Sequence, residues 1–414
     1  MIYICLIWLL QLSKIMYAHI LSMRQPRPKN NGTRRKNAAY LRRICKDSVQ
    51  CLMVGEKQDI LNLFEHFNFK FVKHAKKIIS SNNGFIVELQ YQRFGYDSYA
   101  ILKSNAKNNG DNLLYEYFVG KYLNTLSPYV PTFLETYGVF TYADKAAYTK
   151  VKALLLRKET PMELPDLLVP LEETMQQACI QEKYACVLIQ DLKNSVTLDF
   201  FLKKGTDADI LLLLPAILYL VYLTLDMLKD VYTHYDLHAE NVMLYVPFAG
   251  KSIKYTYKGF SFYSPFLVKI IDYGRCYFPG AYGLFEDFTR EPACLGKPGF
   301  FFNSDPASEH GIASQSINRS HDLRLIALIV VKFSSNRFVA LLKDKLVYES
   351  KGDEREKEMK YGTMPNPNGY PKIQTVTDAE RVIREYLASM LPVEEISASM
   401  VIHGLQHPLQ FTVY

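Results

Sequence analysis

The stretch that decides the fold is Thr233–Leu244, THYDLHAENVML. It holds a His-x-Asp pair at His234 and Asp236, and Asn241 follows five residues after the aspartate. A carboxylate on such a loop can orient a hydroxyl, and an amide oxygen nearby can hold a hard cation such as Mg²⁺. His234 is predicted to support the loop by packing and hydrogen bonding. The stretch therefore predicts a loop that carries chemistry.

Three further polar residues stand in separate segments around this loop. Lys103 ends the apolar segment AILK, and Glu116 lies 13 residues later on a predicted helix. Asp272 follows the apolar run VKII and precedes Tyr-Gly. Taken singly, Lys103 would be a surface charge, Glu116 a solvated helix residue and Asp272 a turn residue. Their joint order favours a functional role instead, with Glu88 and Glu135 as competitors for the place of the glutamate.

Together these pieces resemble the protein-kinase signature of a third-strand lysine, a helix glutamate, the catalytic loop H-R-D-x-x-x-x-N and the triplet D-F-G. The resemblance implies an α+β, bilobal protein-kinase-like fold. A small β-rich N-lobe is expected at residues 72–190 and a mainly helical C-lobe at residues 191–414. Residues 1–55 are then a basic, flexible extension in front of the fold.

The resemblance also implies a role for each polar residue in ATP- and Mg²⁺-dependent phosphoryl transfer. Asp236 would accept or orient the proton of the attacking hydroxyl. Lys103, held in place by Glu116, would contact the α- and β-phosphates. Asn241 and Asp272 would hold the magnesium ions through their oxygens.

Nucleotide contacts are expected at two other places. The adenine would bond to hinge backbone at Gln190, Asp191 and Leu192. Gly84 is the one glycine that remains of a phosphate-covering loop, in Ser80–Phe85. A glycine there lets the backbone approach a phosphate, although the stretch taken alone is better explained as a hairpin turn.

The acceptor is less clearly indicated. His238 stands where serine/threonine protein kinases commonly have lysine, and D-L-H-x-x-N is also common in kinase-like enzymes that phosphorylate small molecules. No A-P-E triplet closes the activation segment. A serine/threonine kinase with a protein substrate is favoured, and a small-molecule phosphotransferase or an inactive pseudokinase scaffold are the alternatives. An acidic pocket near Asp236 would support a cationic small molecule.

Three local patterns lie downstream or between these motifs. The 36 residues from Asp236 to Asp272 are long for this fold, which predicts a β-rich insertion. Asp322 in RSHDLRLIALI fits either a buried tether of the catalytic loop or an ordinary N-terminal helix residue. The tetrad Thr377–Glu380 predicts a capping box for a helix that runs to about Met390.

A closer resemblance runs from about Ala39 to the end of the chain. Segments such as YAILKSNAKNNGDNLLYEYFVGKYLN (99–124) and VKIIDYGR (268–275) look like kinase-like proteins of large DNA viruses. The resemblance implies a viral protein located in the host cell cytoplasm or the virion.

Charge is concentrated near the start of the chain. The formal net charge is +7, and residues 24–46 hold nine Lys/Arg and no acidic residue. The protein as a whole is therefore not a basic nucleic-acid binder, but this arm can contact nucleic acid or an anionic surface. A solvated tail is the other interpretation. Seven scattered cysteines without a C-x-x-C pair predict a reducing compartment.

Two apolar runs bear on membrane insertion. Met1–Leu10 is too short to span a bilayer and has no positive charge in front of it, so an N-terminal anchor is not favoured and no stable insertion is expected. Ile210–Leu225, ILLLLPAILYLVYLTL, is also short for a span and leads directly into the polar loop. It is predicted to be a buried core helix.

Overall fold

The computed structural model describes residues 64, 67–80, 84–93, 95–105, 113–126, 130–154, 168–170, 184–192, 195–246, 253–278, 317–333, 336–345, 373–390, 400–401 and 409–413. The predicted basic extension 1–55, with its cationic stretch 24–46, lies outside the described residues.

A six-stranded antiparallel sheet forms the first part of the chain. Its strands are β1 Val72–Ser80, β2 Gly84–Arg93, β3 Tyr96–Asn105, β4 Thr136–Tyr142, β5 Leu168–Pro170 and β6 Ala185–Gln190. They lie side by side in the order β1-β2-β3-β6-β4-β5. Buried and part-exposed residues alternate strictly along β2, as in a strand with one face on a core. The antiparallel pairing of β1 with β2 confirms the hairpin predicted around the SSNNG segment.

Alternation along β3 determines where Lys103 points. Ala100 and Leu102 lie in an aromatic-rich core on one face of the sheet. Lys103 is one residue out of phase with them, so it faces the other side of the sheet. On that side, the helix α1, Leu113–Leu126, and Val187 of β6 contribute to a second apolar core. A one-residue slip in register would turn the lysine into the aromatic core.

Gly84 is required by a close approach of two strands. A Cβ at this position would lie 2.1 Å from the carbonyl oxygen of Ser104 on β3. We expect Gly84→Ala to lower the free energy of unfolding by about 2 kcal/mol, because backbone must move to relieve the overlap. Urea unfolding measures this loss. Gly138→Ala is the control, since its Cβ would meet only the Phe140 ring at 3.2 Å, and an equal loss in both variants would contradict the explanation.

The remaining elements carry most of the helices. The helices after α1 are α2 Lys145–Leu154, α3 Leu198–Lys204, α4 Asp207–Met227, α5 Arg324–Lys332, α6 Arg337–Lys345 and α7 Val376–Met390. The strands after β6 are β7 Val196–Thr197, β8 Val242–Tyr245, β9 Ile253–Tyr257, β10 Phe260–Ser264, β11 Leu267–Ile270, β12 Met400–Val401 and β13 Leu409–Val413. Short 3₁₀ turns cover Phe69–Phe71, Ala239–Asn241 and His321–Leu323.

Helix α4 is the central helix of the larger core. In the described part of the chain it is the one helix that could cross a membrane by length and composition, yet 72% of its apolar window is buried inside the protein. Thr206 and Asp209 close its start with a capping box. The prediction of a buried helix is confirmed from Leu214 to Leu225, whereas Leu212 in the first turns is exposed.

The predicted β-rich insertion is confirmed. Strands β8 and β11 pair with each other, and β9 and β10 form a hairpin between them. That hairpin belongs to a four-stranded sheet in the order β10-β9-β13-β12. The expectation of a mainly helical region at 191–414 did not include β12 and β13. Strand β13 pairs with β9, about 150 residues earlier, and β12 pairs with β13. Local periodicity carries no information on such contacts.

The predicted cap of α7 is wrong by two residues. The helix begins at Val376, and the backbone N–H of Asp378 donates to Thr375 Oγ1 at 3.3 Å. Asp378 in turn accepts from the backbone N–H of Thr375 at 3.1 Å. Thr377, predicted as the cap, donates its hydroxyl to Asp226 Oδ1 on α4 at 2.5 Å. A tertiary contact therefore uses the hydroxyl that the sequence pattern assigned to capping.

Candidate active site

Lys103 joins three separate elements through two ion pairs. Its Nζ lies 2.7 Å from Glu116 Oε2 on α1 and 3.1 Å from Asp272 Oδ1, just after β11. Glu116 is buried, while the Asp272 side chain is 45% exposed. The structure thus brings together three of the predicted residues, and Glu116 is the one of the three candidate glutamates that it places on Lys103. One end of this chain of charges is buried and the other opens to solvent.

Asp272 has a lowered carboxyl pKa and a left-handed backbone conformation. The Lys103 ammonium lowers the pKa of its carboxyl, so the group stays ionised to a lower pH than an ordinary aspartate. Its φ of 68° lies in the left-handed region, which costs a non-glycine residue about 1–3 kcal/mol. The β8–β11 ladder fixes this backbone, because Ile270 pairs with Val242 and Ile271 N–H donates to the Asn241 carbonyl at 3.0 Å.

The same ladder brings Asn241 beside Asp272, although the two are far apart in sequence. Asn241 Nδ2 donates to the Asp236 carbonyl at 2.9 Å, which turns Oδ1 to the opposite side of the amide. Among the described residues, no group of three His, Cys, Asp or Glu could hold a metal. Mg²⁺ is commonly held by one or two protein oxygens, with phosphate and water completing its shell. One carboxylate and one amide oxygen therefore fit this ion.

His234 organises the loop from inside the protein. The Asp236 N–H donates to His234 Nδ1 at 3.2 Å, and His234 Nε2 lies 2.9 Å from the Ile271 carbonyl. A carbonyl can only accept, so Nε2 carries the proton and Nδ1 is the acceptor. The ring connects the Asp236 loop to the segment before Asp272. The predicted supporting role of His234 is confirmed.

The Asp322 carboxylate accepts hydrogen bonds from the backbone of the same loop. Its Oδ2 accepts the His234 N–H at 2.8 Å, and its Oδ1 accepts the Tyr235 N–H at 2.9 Å. Asp322 is 2% exposed and lies in the turn before α5. Of the two interpretations left open by the sequence, this geometry is that of a buried tether.

Asp236 contacts two arginines that sequence reasoning missed. Arg324 Nη1 lies 3.3 Å from Oδ1, and Arg275 Nη1 lies 3.3 Å from Oδ2. Both arginines were visible in the quoted segments, one directly after the Asp-Tyr-Gly triplet and the other two residues after Asp322. Their charge was the signal that could have found them. The contacts of Asp236 are therefore basic, which is the reverse of an acidic pocket.

One backbone donor of the predicted hinge is engaged within the protein. The Gln190 N–H donates to the Glu135 carbonyl at 2.8 Å, and Gln190 Oε1 accepts the Glu135 N–H at 3.4 Å. That N–H is engaged within the protein, so the expectation that it serves adenine is not supported. Leu192 is buried, and its carbonyl accepts from Ser195. The adenine contact stays a prediction at Asp191 and Leu192.

The predicted phosphate contact of Gly84 stays untested by the geometry. Its lack of a side chain is explained by the approach of Ser104, as described above. Residues 81–83, which would form the tip of the loop, lie outside the described residues.

Comparison with known proteins adds little to this geometry. No protein-family model matches the chain, and no curated protein sequence matches it. Solved structures do match, and one of them is the crystal structure of a kinase domain with 16% sequence identity. The match covers 49% of this chain and 50% of that chain, with a TM-score of 0.27. A similarity at this level does not identify the fold, which is defined here by its strand order and its site.

Proposed function

We propose that the chain is an ATP- and Mg²⁺-dependent phosphotransferase with a kinase-like fold, acting on serine or threonine hydroxyls of a protein. The observation that carries the proposal is Lys103, which contacts Glu116 at 2.7 Å and Asp272 at 3.1 Å. Three residues from a strand, a helix and a loop meet there in the order that the kinase signature requires. The mixed architecture of helices and antiparallel sheet is compatible with this fold.

In this proposal each side chain positions a group or balances charge, because phosphoryl transfer asks little covalent chemistry of a protein. Lys103 would contact phosphate oxygens, and Glu116 would hold the Lys103 ammonium in place through their ion pair. Asp272 and Asn241 would hold Mg²⁺, which supplies neutralisation of phosphate charge when bound. Asp236 would orient the acceptor hydroxyl and take its proton.

The lobes of the proposed fold follow the sheet and the helices. Residues 72–190, which contain the six-stranded sheet, would form the N-lobe, and residues 191–414 the C-lobe. The nucleotide would lie between them, beside Lys103 on the face of β3 that α1 covers.

Different observations bear on the two alternative functions, a small-molecule phosphotransferase and a pseudokinase scaffold. A cationic small-molecule acceptor is disfavoured by the two arginines on Asp236. A pseudokinase scaffold is favoured by Gly84, because the close approach of the Ser104 carbonyl explains the glycine without any phosphate. Against a scaffold stands the Asp272 backbone, since a left-handed aspartate costs stability and a mere scaffold gains nothing from it.

Thermal melting with and without ATP and Mg²⁺ tests the proposal. A ligand at about 100 times its Kd stabilises a protein by about 2.7 kcal/mol, which raises Tm by a few degrees at this size. We expect this Mg²⁺-dependent shift in the wild type and its loss in Asp272→Asn. Asp230→Asn, the same change at an exposed surface ion pair, is the control and should keep the shift. No wild-type shift at millimolar nucleotide would make the scaffold the better description.

A further inference from the structure

The two arginines on Asp236 are more than its proposed role requires. Orienting a hydroxyl needs one carboxylate held in place, and the backbone bonds through His234 and Asp322 already hold the loop. The guanidinium groups contact the carboxylate of Asp236 itself. Their presence beside a carboxylate that should meet a hydroxyl calls for another explanation.

Both contacts have the geometry of an exchangeable pair. Each ion pair joins an arginine Nη1 to a carboxylate oxygen of Asp236 at 3.3 Å. Strong arginine–carboxylate pairs are bidentate and about 2.7–2.9 Å long. The side chains of Arg275 and Arg324 are 34% and 17% exposed, so both can be reached from solvent. An outside anion can therefore compete with Asp236 for them.

Charge is divided between the two ends of the site. At the Lys103 end, two carboxylates face one ammonium, which suits a metal ion. At the Asp236 end, two guanidinium groups face one carboxylate. Burial lowers the pKa of His238, so this neighbouring imidazole adds no positive charge at neutral pH. Glu240 beside it is exposed, and solvent screens its charge.

We propose that Arg275 and Arg324 form an anion-binding site for the acceptor, and that the acceptor is a peptide with a carboxylate or phosphate group beside its serine or threonine. The anion would take up the arginines and release the oxygens of Asp236 for the hydroxyl. Binding of the substrate would then also free the Asp236 carboxylate to act as the base. This inference rests on the proposed function and names its substrate class.

Peptide binding tests the site without any need for turnover. Fluorescent peptides with alanine in place of the acceptor serine would carry glutamate, phosphoserine, glutamine or lysine at the flanking positions. Anisotropy should show the glutamate and phosphoserine peptides binding at least about tenfold more tightly than the glutamine peptide, and the lysine peptide more weakly still. Tighter binding of phosphoserine than glutamate would assign the site to phosphate, and equal binding would assign it to either anion.

Variants separate this site from a merely structural role. Arg275→Gln and Arg324→Gln should each reduce the preference for the acidic peptide to about threefold or less, with Tm close to that of the wild type. Asp236→Asn should bind the acidic peptide several-fold more tightly, because the internal competitor for the arginines is gone. A purely structural ion pair would predict weaker binding in Asp236→Asn.

Asp272→Asn is the matched control, since it alters the proposed metal end and should keep the wild-type peptide preference. Preference for acidic peptides without a Mg²⁺-ATP melting shift would leave the anion site standing and reject the phosphotransferase. Equal binding of acidic, neutral and basic peptides, with a normal ATP shift, would overturn the anion site alone.

Discussion

Asp322→Ala is expected to lower the free energy of unfolding by about 3–5 kcal/mol and the rate of phosphotransfer by at least about 100-fold. The two oxygens of Asp322 accept the backbone N–H groups of His234 and Tyr235. Alanine leaves both donors buried without an acceptor, and each such group costs about 1–3 kcal/mol. The loop that carries Asp236 then loses its support, and a displacement of about 1 Å is enough to misplace a catalytic carboxylate.

Urea unfolding and a transfer assay under native conditions measure the two effects. Asp322→Asn is the informative partner variant, because its single amide oxygen can satisfy one of the two donors, and it should lose about half as much stability. Asp230→Ala is the control for a carboxylate at an exposed ion pair and should change stability by less than about 1 kcal/mol. If Asp322→Ala loses no more than Asp230→Ala, Asp322 does not tether the loop.

Sequence periodicity predicted the elements that depend on short-range patterns. Strand β3 and helix α1 follow from alternation and helical spacing, and their phases direct Lys103 and Glu116 at one another. The same holds for α4, whose length and position directly before the polar loop indicated a core helix. These elements could be predicted because local preference and burial favour the same structure in them.

Features that arise from long-range contact could not be predicted in this way. The pairing of β13 with β9 and the engagement of Gln190 N–H by Glu135 depend on segments brought together only in the fold. Asp236 and Arg324 are 88 residues apart. The motif that identified the Asp236 loop does not extend to Arg324, so it could not predict this contact. The signature therefore predicted Asp236 and the proposed nucleotide end of the site, while the contacts of Arg275 and Arg324 with Asp236 came only from the structure.

Lys103→Met should lower kcat/KM for ATP by about 10²–10³-fold while leaving the fold in place. Methionine keeps much of the length of the lysine stem and removes the charge that would meet the phosphates. The side chain is partly exposed, so no large cavity is created. Glu116→Gln should cost less, about tenfold to 100-fold, because the ammonium remains but loses its ion pair with Glu116, and it then competes more strongly with the metal for the Asp272 carboxylate.

The comparison with Lys121→Met decides what these losses mean. Lys121 lies on the same helix as Glu116 but is exposed, and its Nζ lies 6.0 Å from the centre of the Tyr117 ring. This variant should keep the wild-type rate, since a solvated lysine contributes little to a distant site. A Lys103→Met enzyme with more than about a tenth of the wild-type rate would mean that the ammonium does not act on phosphate. The chain Glu116–Lys103–Asp272 would then be a structural ion-pair network that joins sheet, helix and loop.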